Sequence, residues 1–168
     1  MASKPPVSRF VVGVDGSAGA AEALEQATRL ARATGAEIVA VHAMENTHRL
    51  THAGLYGLRD APPRPGQSRV AEVHGFVRHW CRPLEESGVS YRTIVESGSP
   101  ALVIQAVAER IGADLVVVGR RGRGALAGFV LGSVSSRLAH TCRLPLLLVS
   151  LPPEARTREP ARAGSRTA

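Results

Sequence analysis

Five short apolar runs, each followed by a stretch of a different period, set the narrowest limit on what this chain can become. Arg9–Asp15 is a Val-rich run suited to a buried strand. Ser17 follows as a helix cap, and Ala20, Leu24, Ala27 and Ala31 recur at spacings of four, three and four, one helical face that Gly35 stops. Glu37–Ala43 reads as a second strand. Val70, Val73, Val77, Trp80 and Leu84 return to helical spacing. Pro83 lies inside that pattern, and its ring would clash with the carbonyl four residues back, so a kink or an end is expected there. Tyr91–Glu96 reads as a third strand, and Ser99-Pro100 as a cap with a first-turn proline. Val103, Val107 and Ile111 then line a helix that Gly112 closes. Asp114–Gly119 is a near-continuous apolar strand, Ser133 to Thr141 a helix with Val134 and Leu138 facing inward, and Pro145–Ser150 a last strand. Parallel neighbours need crossover connections, so this alternation implies an α/β fold: a doubly wound, five-stranded parallel sheet with helices on both faces.

The chain of 168 residues is long enough for one such domain, residues 9–150, without disulfide or metal support. Residues 1–8 form an N-terminal arm, and residues 151–168, rich in Arg, Pro and Ala without period, are expected to be a disordered tail. Between the second strand and second helix, residues 46–69 read as a long loop of Arg, Pro and Gly. Aromatics make up only 4% of the chain, so the core must come from Val, Leu, Ile and Ala. No apolar run approaches the length of a membrane span, and Phe10–Val14 is too short for a signal-peptide core. Cys81 and Cys142 fit no metal-ligand spacing and read as reduced thiols, which places the protein in the cytoplasm. The net charge of +7 comes almost wholly from arginines, since Lys4 is the only lysine. Its excess lies in the loop and the tail and is not interleaved with aromatics, which argues against a nucleic-acid partner.

Open parallel sheets bind ligands beyond the carboxyl ends of their strands, where the strand order reverses. Two strand ends stand out: the first, in Val14-Asp15-Gly16-Ser17, and the fourth, in Gly119 and the glycine-rich loop after it. Residues 119–133 fit G-x2-G-x9-G-[ST], with Gly119, Gly122, Gly132 and Ser133 at the fixed positions. By composition, such a match arises by accident roughly 0.02 times in a chain like this. Gly119 and Gly122 are expected to take positive φ and let the backbone approach a ligand. Gly132-Ser133 opens a helix whose first amides lack intrahelical partners, and Ser133 and Ser135 add hydroxyl donors, together a phosphate cradle. Of the neighbouring Arg120, Arg121 and Arg123, Arg121 is the one expected to meet a phosphate. Asp15 either coordinates a divalent cation such as magnesium, or accepts hydrogen bonds from ribose, or simply caps the turn at its strand end.

The glycine pattern resembles the ATP-binding signature of the universal stress protein family, and the resemblance runs from Arg9 to Ser150. Val14-Asp15-Gly16-Ser17, Ala40-Val41-His42 and the Pro-Leu-Leu-Leu-Val ending are similar to that family's segments as well. The resemblance implies a Rossmann-like sheet in the order 3-2-1-4-5 and ATP as ligand. Gly13, Val14 and Asp15 would line the nucleotide, and the Val41 backbone would meet the adenine. Gly119, Arg121 and Gly122 would hold ribose and phosphate, and Gly132, Ser133, Val134 and Ser135 the phosphates. It also implies a homodimer through the C-terminal strand, whose Leu146–Val149 carries no charge to blunt an exposed edge. The function implied is that of a nucleotide-dependent regulator of stress responses, acting on protein partners that the sequence does not identify. Two alternatives use the same pocket: a slow ATPase, for which Asp15 is the one evident base, and a sensor of another adenine nucleotide such as cAMP.

Rival motifs fail on context. Gly122-Arg-Gly124-Ala-Leu-Ala127 fits a dinucleotide fingerprint but follows the fourth strand, with no acid between Asp114 and Glu154 to hold a ribose. A P-loop needs Gly-Lys-[Ser/Thr], and Lys4 is elsewhere. His74 and His79 are five apart, a poor spacing for one helical face, so with Cys81 they read as packed or solvated side chains. His42 lies on the second strand, at the rim of the expected pocket.

Overall fold

The alternating pattern becomes, in the computed structural model, strands β1 (Arg9–Gly13), β2 (Glu37–Met44), β3 (Tyr91–Ser97), β4 (Leu115–Gly119) and β5 (Leu146–Val149). Between them run helices α1 (Ala18–Thr34), α2 (Arg69–Ser87), α3 (Pro100–Ile111) and α4 (Ser133–Thr141). The structure describes residues 7–44, 69–122 and 131–152. Most of the arm 1–8, the loop 46–69 and the tail 151–168, as well as Arg123, therefore lies outside the described residues. The strands form one parallel sheet in the order β3-β2-β1-β4-β5, as expected.

β1 is the central strand, and its burial shows it: the adjacent residues Val11 and Val12 are both wholly buried, which requires cover on each face of the sheet. Val12 packs with Phe10 and Val14 against α1 (Ala23, Leu24, Ala27) and α2 (Val73, Val77, Leu84). Val11 packs with Val39, Val41 and Val116 against α3 (Ile104, Val107) and α4 (Leu138). Burying a Val or Leu side chain fully is worth about 1.5–3 kcal/mol, so these two layers hold the four helices on the sheet.

The helix ends follow their sequence signals. Ser17 Oγ accepts the Ala20 N–H at 3.1 Å, capping α1. Gly35 and Gly112 end α1 and α3 in the left-handed conformation, with φ of 74° and 64°. Ser99 takes the N-cap position of α3 but makes no side-chain cap bond. Of the two outcomes expected at Pro83, the end is excluded, because α2 continues to Ser87. Leu84, the next residue, is wholly buried in the α1/α2 core, and that burial holds the last turn in place of the missing backbone hydrogen bond.

Polar contacts pin the opposite end of the sheet from the strand tips. Asp114 Oδ2 accepts the backbone N–H groups of Ser8 at 2.8 Å and Arg9 at 3.1 Å, fastening the start of β1 to that of β4. Glu37 takes Arg9 and Arg92 on its two carboxylate oxygens, both at 3.1 Å. These partly exposed pairs are worth about 1 kcal/mol or less each, so they fix register more than they stabilise.

Cys81 on α2 is wholly buried, and burial, with the nearby Glu85 charge adding to it, pushes its thiol up to about 11. Burial penalises the thiolate, so at pH 8 only about 0.1% of Cys81 is in the reactive form. Cys142 is only partly buried. Iodoacetamide labelling of the folded protein at pH 8 is therefore expected to modify Cys142 and spare Cys81, with Cys81 labelled only after denaturation. Equal labelling of both in the folded chain would contradict the packing of α2.

Candidate functional site

The strand order reverses between β1 and β4, and a cavity of about 290 Å³ opens at their carboxyl ends. That is near the lower end of the roughly 300–1,000 Å³ usual for small-molecule sites. The residues expected to contact a nucleotide all line it: Gly13, Val14 and Asp15 after β1, Val41 on β2, Gly119, Arg121 and Gly122 after β4, and Gly132, Ser133, Val134 and Ser135 opening α4. His42, expected at the rim, lines it too. Sequence reasoning missed the apolar wall of Pro100 and Ile104 on α3 and Val118 on β4, and also Ser17 and Ala20 on α1. A signal existed: in this fold a helix that follows a strand begins on the site side of the sheet, and Ser17 and Pro100 were both legible as helix starts.

The cavity gathers hydrogen-bond donors at three helix starts. The first intrahelical bond of α4 runs from Ser136 N–H to Gly132 O at 2.9 Å, so the amides of Ser133, Val134 and Ser135 have no partner within the helix. Residues at the N-termini of α1 and α3 line the same cavity, and none of these three helices carries an acid in its first turn. Their partial positive charges thus remain uncompensated by their own side chains. Arg121 lines the cavity, and its buried Nε has no hydrogen-bond partner among the described residues.

The glycines of the motif differ in what requires them. Neither Gly119 nor Gly122 is among the glycines with positive φ, contrary to expectation. A Cβ on Gly119 would lie 2.5 Å from the carbonyl carbon of Gly19, and one on Gly19 would lie 2.2 Å from Arg121 O. Gly119 is thus required by the approach of α1, with no ligand involved. A Cβ on Gly122 would meet Asp15 Oδ2 at 2.7 Å, so this glycine makes room for a carboxylate. Gly132 differs: its φ is −74° and a Cβ there would make ordinary contacts at 3.5 Å. Nothing within the described residues demands glycine at 132.

The polar side chains are more committed than their residue types suggest. Asp15 Oδ1 accepts the Ser17 N–H at 2.9 Å, the turn-capping role, while its other oxygen faces Gly122. Ser135, expected to offer its hydroxyl to a ligand, is buried with Oγ 2.7 Å from Arg120 O and 3.0 Å from Gly132 O. Both neighbours can only accept, so the hydroxyl proton is already engaged; this corrects the expectation of a free donor. The Val41 carbonyl already accepts the Val14 N–H at 2.9 Å. His42 Nδ1 lies 2.8 Å from Val14 O, which makes it the protonated nitrogen, and the ring sits edge-on to Trp80 with centroids 5.3 Å apart. Trp80 in turn floors the turn after β1, since a Cβ on Gly16 would fall 2.6 Å from the indole. Arg120 contributes backbone only, its N–H donating to Val149 O at 2.7 Å. Among the described residues no group of three or more His, Cys, Asp or Glu could hold a metal ion, and no helix is long and apolar enough to cross a membrane.

The sequence profile of the universal stress protein family matches residues 6–150. Universal stress protein YxiE of Bacillus subtilis is 31% identical over 150 residues, covering 84% of this chain and 98% of its own. A universal stress protein of Methanocaldococcus jannaschii is 29% identical over 147 residues, covering 86% of this chain and 82% of its own. Among solved structures, a universal stress protein of Lactobacillus plantarum superposes with a TM-score of 0.68 at 21% identity, over 87% of this chain and 99% of that one. A universal stress protein solved in complex with cAMP gives 0.64 at 24% identity, over 86% and 98%. A family member from Arabidopsis thaliana with AMP bound gives 0.61 at 18%, over 88% and 94%.

Because Gly119 is held by α1, Gly119→Ala is expected to lose stability rather than ligand affinity alone. Displacing α1 from the sheet should cost about 1–3 kcal/mol, read as a lower urea midpoint. An unchanged midpoint would contradict the backbone-to-backbone contact.

Proposed function

The chain belongs to the universal stress protein family, and on that footing we propose that it binds ATP in the cavity between the ends of β1 and β4 and acts as a nucleotide-dependent regulator of stress responses in the cytoplasm. The observation that carries this reading is the set of amides at Ser133, Val134 and Ser135, without partners inside α4, at a cavity that Arg121 also lines. A polyphosphate supplies acceptors for both. The phosphates would meet the amides of Ser133 and Val134 and the Arg121 guanidinium, with Gly132 leaving them room. The base would lie against Val41, Pro100, Ile104 and Val118, an apolar wall suited to a purine face. Asp15 is the carboxylate that would face a magnesium ion arriving with the nucleotide. Magnesium is commonly held by one or two carboxylates together with phosphates and water, so a single acid suffices.

A binding role is favoured over hydrolysis because Asp15 already accepts the Ser17 N–H, a poor setting for a general base. The second reading, a sensor of AMP or cAMP, draws support from the two similar structures that hold those nucleotides. Calorimetric titration with ATP, AMP and cAMP separates the two. Tightest binding of ATP, weakened at least tenfold (about 1.4 kcal/mol) in Gly132→Val, is the expected result. The fold should tolerate that change at a cost of about 1 kcal/mol for the altered cap. Unchanged ATP affinity in the folded variant would remove the cradle from the account, and tighter binding of cAMP would favour the second reading.

We also propose a homodimer through β5. That strand lies at one end of the sheet, and its residues 146–149 carry no charge. Pairing with a second copy about a two-fold axis would satisfy the outer row of backbone groups. Sedimentation at micromolar concentration should give the dimer mass, and a monomer mass would overturn this assembly.

A further inference from the structure

We infer that Ser135 is a positioning residue: its hydroxyl clasps the first turn of α4 onto the end of β4 and thereby aims the Ser133 and Val134 amides into the cavity. This rests on the nucleotide reading above and changes the part Ser135 plays in it, from phosphate donor to structural clasp.

The geometry turns on one carbonyl. Arg120 O receives two hydrogen bonds, from Gly132 N–H at 2.9 Å and from Ser135 Oγ at 2.7 Å. A carbonyl oxygen has two lone pairs, so both are used. Arg120 is itself anchored, its N–H donating to Val149 O on β5 at 2.7 Å. A continuous path of hydrogen bonds therefore runs from the edge strand, through the residue after β4, to the first turn of α4. The chain leaves this point at residue 120 and returns to it at 132, so the clasp closes the motif's spacer at its base.

The chemistry excludes a direct role while the clasp is shut. A hydroxyl has one proton, and Ser135 lies between two carbonyl oxygens that only accept. A phosphate oxygen is also an acceptor. Ser135 is 2% exposed, so no water replaces the bond to Arg120 if the proton turns toward a ligand. Ser133 is the opposite case: it lies exposed at the first helical position, with its amide unpaired inside the helix. The adjacent amides bind; Ser135 keeps them in place.

Two measurements on Ser135→Ala, a variant that removes one oxygen and adds no bulk, decide this. In nucleotide-free protein, amide hydrogen exchange at Gly132 and Ser136 should accelerate about tenfold or more, because the clasp exists without ligand. Affinity for ATP should fall about tenfold while affinity for adenosine stays within twofold, a split that loss of general stability would not produce. Unaltered exchange with weakened ATP binding would show a direct phosphate contact and overturn the clasp. Faster exchange with unchanged ATP affinity would make the bond merely structural and overturn the positioning role. Equal weakening of ATP and adenosine would do the same. A wild-type chain that binds neither ligand would instead remove the nucleotide reading, and with it the cradle the clasp serves.

Discussion

Two backbones meet where the first turn of α1, at Gly19, presses against the end of β4, at Gly119. Neither position has room for even a methyl group. Everything at the carboxyl ends of the strands depends on this contact, because it brings the β1–α1 turn and the segment after β4 to the two sides of one cavity. A larger residue at either place would lift α1 and separate Asp15 from Gly122. The sheet alone would leave a shallow cleft between diverging connections, as any open parallel sheet does where its order reverses. Glycine at both positions narrows that cleft into a site.

Around the contact, the polar groups divide into those that build the site and those left open. Asp15 is tied to Ser17, His42 to the Val14 carbonyl, and Ser135 to Arg120. Each of these fixes a segment near the cavity, and a fixed segment has little freedom to lose when a ligand arrives. The groups left open are the amides at the start of α4, with Arg121 lining the same cavity. All are donors. A site whose committed groups are rigid and whose open groups are donors would suit an anion, and the apolar wall of Pro100, Ile104 and Val118 would suit a flat, uncharged group attached to it.

Much of this was legible in the chain itself. Valine runs alternating with helical spacing gave the five strands and four helices of the described residues, because each element's burial pattern is local: Val11-Val12 on β1 or Ala20, Leu24, Ala27 and Ala31 on α1. The residues of the glycine motif, and Asp15, all fall around the cavity. What stayed hidden is what depends on distant partners. Gly119 reads as a ligand-facing glycine until Gly19, a hundred positions earlier, is seen pressed against it. Ser135 reads as a donor until the Arg120 carbonyl is found beneath its hydroxyl. Pro83 reads equally as a kink or an end of its helix until the burial of Leu84 beyond it shows that the helix runs on. Pro100 and Ile104 carried only packing signals, since an apolar wall for a base has the same composition as a core.

On the proposed function, the amides at the start of α4 and the Arg121 guanidinium would receive the phosphates of an adenine nucleotide. Following backbone amide resonances of the isotope-labelled chain during titration with magnesium-ATP tests it most directly. The account predicts saturable shifts that are largest at Arg121, Gly122, Ser133 and Val134, with smaller ones at Gly13–Asp15. Shifts absent at millimolar nucleotide, or concentrated away from the ends of β1 and β4, would contradict it.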